Sequence, residues 1–289
     1  MRIAIERMSG VALCLCALAA LPGPALAAAD GDRFRAIYEK EWAFRLQEFP
    51  QFASYVGVHD YSDRLGRVSE QDQARRHAFW KGIRAELDGV SCARLERDEC
   101  IDYRIFVAQM DNFIAGYETR SYLIPFNSDS GFYSDWVRLP EDPEFGTVDD
   151  YRNYLARLHE LPAVMDEYIA LMRRGVETGF TQPRVVLDGR DGPIRAQLVE
   201  RAADSPFYAP FRDLPEAVAG GERAELLATA DRVVMADVIP AYRRLYEFMR
   251  DEYLPGARET LGAGELPGGA AFYQAQIRQY ATVDLSPRE

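Results

Sequence analysis

The chain holds only three histidines, and their spacing limits the metal chemistry it can carry by itself. A zinc hydrolase needs two histidines on one helical face with a glutamate as base, commonly as H-E-x-x-H, and a third ligand further along. Here His159-Glu160 continues as Leu161-Pro162-Ala163, so the second histidine is missing and a proline interrupts the turn. His59 and His77 are isolated in sequence and read as ordinary surface or core residues. Gly89-Val90-Ser91-Cys92-Ala93 lacks the closing glycine of a nucleophile elbow and falls at a helix end rather than after a strand. Walker and dinucleotide glycine patterns are absent. Asp149-Asp150 belongs to the first turn of a helix, where carboxylates oppose the dipole favourably. No catalytic residue and no metal ligand can be assigned within this chain.

Two groups keep a chemical reading. Arg173-Arg174 ends the longest predicted helix and is followed by Gly175, Gly179 and Gln182-Pro183-Arg184. Basic residues there complement a helix C-terminus, or else Arg184 faces a groove and pairs a substrate carboxylate. Arg184 is therefore the candidate substrate-binding residue. Cys92 and Cys100 lie eight residues apart across a polar stretch. In an oxidising compartment they are placed to form a small-loop disulfide joining one helix end to the next helix start, the alternative being two unpaired thiols.

That compartment is implied by the N-terminus. Arg2 and Arg7 precede the apolar run Val11 to Leu21, then Pro22-Gly23-Pro24 and the small-residue site Ala25-Leu26-Ala27. This is the pattern of a secretory signal peptide over residues 1–27, with residues 28–289 as the exported chain, periplasmic or secreted. Leucines precede Cys14 and Cys16, which disfavours a lipoprotein cleavage site. The leader carries two Arg and one Glu, so its removal takes the formal net charge from −12 to −13. So acidic a surface repels phosphate backbones and anionic lipid, which argues against nucleic acid or a membrane as partner. No later apolar stretch approaches the roughly 18 residues a transmembrane helix needs.

Helical spacing dominates, without any sustained alternation, so the expected class is all-α, a bundle of long amphipathic helices. Phe34, Ile37, Tyr38 and Trp42 mark a helix ending before Phe49-Pro50. Ser69 with Asp72 caps a helix carrying Phe79, Ile83 and Leu87, and another runs from about Ile101 to Tyr117. Thr147 with Asp150 opens the clearest stripe, Tyr151 through Met172, which should stop near Gly175 or Gly179 and be kinked or split by Pro162. A further stripe from Val234 to Tyr253 contains Pro240 and ends at Pro255-Gly256, and a last helix covers Ala270 to Tyr280. Between helices lie aromatic loops, of which Ile124 to Gly146 is the longest. It either lines a groove or covers part of the core.

After that last helix, Ser286-Pro287-Arg288-Glu289 has the form of a helix start: a serine cap, proline at the first helical position and glutamate three residues after the serine. The expectation is that these residues open a further helix and that the chain is the front part of a longer protein.

Four segments carry a family resemblance: residues 53–65 (ASYVGVHDYSDRL), residues 174–183 (RGVETGFTQP), residues 239–245 (IPAYRRL) with 252–255 (EYLP), and residues 266–273 (LPGGAAFY), the last continuing to Asp284-Leu285-Ser286-Pro287. In this order they resemble the bacterial family named domain of unknown function 885, over about residues 33–289. The resemblance implies a protein about twice this length, all-helical and similar to zinc metallopeptidases of the gluzincin type. Its metal-binding His and Glu would lie beyond Glu289, so none maps onto this chain. On that reading this chain is an exported N-terminal half, inactive alone, that forms scaffold and one wall of a peptide channel. Its partner would be the C-terminal half of the same domain, with zinc in the parent and none here. The alternative is a self-contained helical binding or scaffold module of the periplasm.

Overall fold

The computed structural model describes the backbone from Pro24 and the side chains from residue 29 on, apart from residues 128–129, 142–144, 188, 190, 217, 287 and 289. The predicted signal peptide up to Gly23 therefore lies outside the described residues, as do Pro287 and Glu289 of the C-terminal capping string.

The chain is all-α. Eleven helical segments follow one another among the described residues: α1 (Pro24–Glu48), α2 (Pro50–Tyr55), α3 (Glu70–Leu87), α4 (Arg97–Glu118), α5 (Phe132–Val137), α6 (Val148–Thr178), α7 (Gly192–Arg195), α8 (Gly220–Val233), α9 (Ile239–Phe248), α10 (Leu254–Gly256) and α11 (Gly269–Ala281). Extended pairing among the described residues is limited to single bridges, Phe126 with Gly131 and Pro183 with Arg258.

Local chemistry sets the main helix starts. Ser69 accepts a bond from the Asp72 amide at the head of α3. At α6, Thr147 Oγ1 accepts from Asp150 N at 3.3 Å while Asp150 Oδ2 accepts from Thr147 N at 2.7 Å, a reciprocal capping box. Two expectations for this helix need correction. Pro162 does not split it: Leu158, Leu161, Val164 and Met165 are buried on both sides of the proline, and their packing holds one 31-residue helix. Gly175 does not end it either. A Cβ there would lie 2.7 Å from the Phe180 carbonyl, so this glycine serves close approach, and the stop is Gly179, whose φ of 72° is easy only for glycine.

The Val234–Tyr253 stripe also proves longer than its periodicity suggests. Helix runs without a break from Gly220 to Gly256, through α8, α9 and α10, and two π-helical turns, Val234–Val238 and Met249–Tyr253, precede Pro240 and Pro255. A proline inside a helix removes one backbone bond and crowds the carbonyl a turn back. The wider π turn accommodates both effects.

Packing divides into a large and a small apolar body. The large one joins α5, α6, α8 and α9 with the aromatic turn Pro206–Phe211. Tyr154 and Tyr242 pass through it and donate to the carbonyls of Phe207 (3.0 Å) and Tyr133 (2.7 Å), so neither hydroxyl is stranded. The small body is α1, α3 and α4 around Trp80, Ile83, Leu87 and Met110. A polar seam ties the segment between α2 and α3 to α6. Arg157, 1 % exposed, donates to the carbonyls of Pro50, Tyr61 and Arg64 and to Ser54 Oγ. Glu160 accepts from Leu65 N at 2.7 Å and Glu167 from Val68 N at 2.9 Å.

Cys92 and Cys100 are bonded in the structure, Cα atoms 5.0 Å apart, closing the corner between α3 and α4. Asp30 of α1 holds that corner by accepting from Ser91 N and Arg94 Nε, and the Arg94 bond keeps its carboxyl below the usual range.

Two stability outcomes follow. Replacing both cysteines with serine should cost about 2.5 kcal/mol, the chain-entropy value for so short a loop, read as a shift in the denaturant midpoint against the oxidised protein. Replacing Arg157 with Met should cost about 1–3 kcal/mol by stranding buried acceptors at the seam; a midpoint unchanged from wild type would show that the seam is not a joint.

Candidate functional site

Where the two bodies face each other they leave an open groove of about 1010 Å³. α3 gives Arg76 and Trp80, α6 gives Tyr168 and Leu171, and α11 gives Phe272, Tyr273 and Tyr280. The long aromatic loop supplies another wall. It folds back through α5, burying Phe126, Phe132 and Trp136 against the core while the same residues line the groove. Both readings of that loop hold together, because a ring has two faces.

At the groove wall three rings lock together. Phe132 stacks on Tyr168 at 3.9 Å and 6°, and Trp136 meets each edge-on at 5.2 and 5.5 Å. Burial pushes the Tyr168 hydroxyl up to about 12. Tyr253, whose hydroxyl accepts from Gln182 N at 3.1 Å beside the groove, is also pushed up to about 12 by burial. Both tyrosines therefore stay neutral donors across the physiological range.

Polar lining is mostly amide. Five of the ten glutamines in the chain, Gln51, Gln73, Gln182, Gln276 and Gln279, line the groove. Gln51 and Gln73 serve the backbone at Gly66 and Val68, and Gln182 Nε2 donates to Phe126 O at 2.8 Å. Gln276 and Gln279 on α11 make no hydrogen bond among the described residues, which leaves their amides for a ligand. Charge is sparse: Arg76, Asp135 and Arg258. Arg76 is buried, pairs with Glu48 Oε2 at 3.0 Å, donates to the Arg67 carbonyl and covers the Phe49 ring at 4.7 Å. Such a surface offers ring faces to apolar groups and amides to a polar backbone. It offers no nucleophile paired with a base.

Residues singled out in the sequence lie elsewhere. Arg184 is not among the groove-lining residues: its guanidinium donates to the carbonyls of Leu254 and Pro255 and pairs with Glu259 at 2.9 Å, closing the end of α10. Arg173 makes a two-bond pair with Glu252, and Arg174 pairs with Glu177. His159 Nδ1 lies 2.8 Å from Asp237, His77 stacks on Tyr117, and His59 borders a separate hollow with Ser62 and Arg157. Among the described residues no group of three or more His, Cys, Asp or Glu is placed to hold a metal ion, so a zinc does not fit here. No helix among them is long and apolar enough to cross a membrane. Sequence reasoning missed Tyr168, Arg258 and the glutamines of α11. An aromatic at core spacing gives no sign that one side of its ring is open, and the even run of amides on α11 was the available signal.

The family model described as "Bacterial protein of unknown function (DUF885)" matches residues 50–289. The chain belongs to the DUF885 family. Comparison with curated proteins gives no match. Among solved structures, this DUF885 chain is similar to a crystal structure from Colwellia psychrerythraea whose printed name is "putative lipoprotein", at 17 % identity and a TM-score of 0.76. The match covers 90 % of this chain and 47 % of that one, so the chain spans about half the length of its solved relative. At that identity the likeness establishes the fold.

Burial of Tyr168 and Tyr253 sets an alkaline limit. Their folded values lie above the ordinary tyrosine value, so the stability they confer is complete below about pH 10 and is lost as pH rises towards 12. Absorbance titration of the folded chain should show two late-ionising tyrosines that vanish from the late phase in Y168F and Y253F; ionisation of both near pH 10 would contradict the buried groove wall.

Proposed function

We propose that this DUF885 chain is the peptide-holding wall of an exported, metallopeptidase-like hydrolase. The groove carries the proposal: ring faces from α3, α5, α6 and α11 suit apolar side chains, and unengaged amides at Gln276 and Gln279 suit peptide backbone, which presents donors and acceptors alternately. The shared span fits the same reading, since the solved relative has as much polypeptide again, where metal ligands of the parent would lie. Export is supported by the charged, apolar and small-residue pattern of residues 1–27, with which the printed name of the relative agrees. In this scheme the residues of this chain bind and orient substrate, and the bond-breaking groups come from outside it.

A second reading, a self-contained binding module, is favoured by one observation. Gln197 Oε1 is the sole buried side-chain polar atom among the described residues left without a partner, as expected of a body that closes its own core. The test treats both. Apolar peptides with blocked ends are titrated against the chain while tryptophan emission is read, because Trp80 and Trp136 both line the groove. Saturable binding without cleavage is expected, weakened roughly tenfold in W136A, the loss typical of a buried aromatic anchor. Absence of binding by any peptide would sink the proposal; cleavage by the chain alone would show that it is more than a wall. After zinc loading and dialysis, less than one equivalent of tightly held metal should remain.

A further inference from the structure

The three charges lining the groove are not equivalent. Arg76 is paired with Glu48, and Asp135 pairs with Arg138 at 3.1 Å. Arg258 has no carboxylate partner among the described residues. Its guanidinium is held by backbone carbonyls: Nε donates to Thr181 O at 3.0 Å, Nη1 to Thr260 O at 2.6 Å and Gly262 O at 3.0 Å, and Nη2 to Leu261 O at 3.4 Å. Carbonyls fix its plane without cancelling its charge, and four such contacts leave one Nη2 hydrogen uncommitted.

Two further facts bear on what this cation meets. The chain as a whole carries a formal charge of −12, so a fixed positive group in its largest groove stands against the general field and selects what that field repels. The nearest acid acting on Arg258 is Glu265, exposed on the same loop and coupled to it through space rather than by a bond. Next to Arg258, Pro183 bridges to its backbone and Gln182 turns its amide toward Phe126, so the charge sits beside amide and ring surface.

We propose that Arg258 is the anion-recognising residue of the groove, and that the preferred ligand is a peptide segment presenting a carboxylate beside apolar side chains. This rests on the peptide reading of the groove and adds the charge of the substrate to it. The carboxylate belongs either to an acidic side chain or to a peptide C-terminus, and both share the chemistry that a pre-oriented guanidinium recognises.

The experiment compares matched peptides on the full chain by tryptophan emission. One pair has blocked ends and differs by a single Glu against Gln. The other is a neutral sequence with a free C-terminal carboxylate against its amide. At low salt one acid member should bind roughly tenfold tighter than its neutral twin, the size of a charge-assisted hydrogen bond, and which pair shows it names the source. R258Q should abolish the difference while leaving the neutral peptide unchanged. E265Q should widen it, an increase that damage to the fold would not produce. Raising salt should narrow it in the wild type. Equal binding of acid and neutral twins, or a difference that survives R258Q, overturns the assignment while the peptide groove stands. Binding of neither twin overturns both. Should R258Q fail to fold, an acid preference that neither salt nor E265Q alters overturns the assignment.

Discussion

The seam along α6 is the constraint on which the rest depends. Arg157, Glu160 and Glu167 each spend their charge on backbone groups of the segment between α2 and α3, and so fix where the small body of α1, α3 and α4 stands. Apolar packing alone would not do this, because hydrophobic attraction is non-directional and would tolerate several placements of one body on another. Charge-assisted bonds to fixed amides and carbonyls are directional. The two bodies consequently meet at one offset, and the space left between them is a groove with Trp80 on one side and the Phe132, Trp136 and Tyr168 rings on the other.

The groove wall is therefore stiff. Its rings are wedged by the core behind them, and its main buried cation, Arg76, is satisfied by Glu48, the Arg67 carbonyl and the Phe49 face. α11 forms a more exposed border, with Tyr273 and Tyr280 turned largely to solvent. A rigid wall opposite a lightly packed one suits a ligand whose backbone is uniform and whose side chains vary, since only one wall must adjust. It also places the amides that carry no structural duty, Gln276 and Gln279, on the side better able to move.

What could be read from the sequence followed the range of each interaction. Caps at Ser69 with Asp72 and Thr147 with Asp150 act across three residues, and both were legible. Pro162 and Gly175 misled because their effect on a helix is decided by neighbours far along the chain, buried rings in one case and the Phe180 carbonyl in the other. Glu160 looked like half of a metal motif, whereas its partner is the amide of Leu65, and a backbone amide leaves no mark in a sequence. Arg184 and Arg258 share the same corner through the Pro183 bridge, yet the nearer helix end claims Arg184. A pattern can nominate the corner without naming which cation is left over.

The π turns ahead of Pro240 and Pro255 carry a consequence for how this protein tolerates change. Each stores one surplus residue within a helix, and each residue advances an ordinary helix by about 100°. Excising a residue from Val234–Val238 would restore regular winding and rotate everything after it by that angle, carrying Tyr242 off the Tyr133 carbonyl and Tyr253 away from Gln182. These two wide turns thus act as phase adjusters. Lineages could trade almost any side chain on that helix, but gaps and insertions there should come in compensating sets.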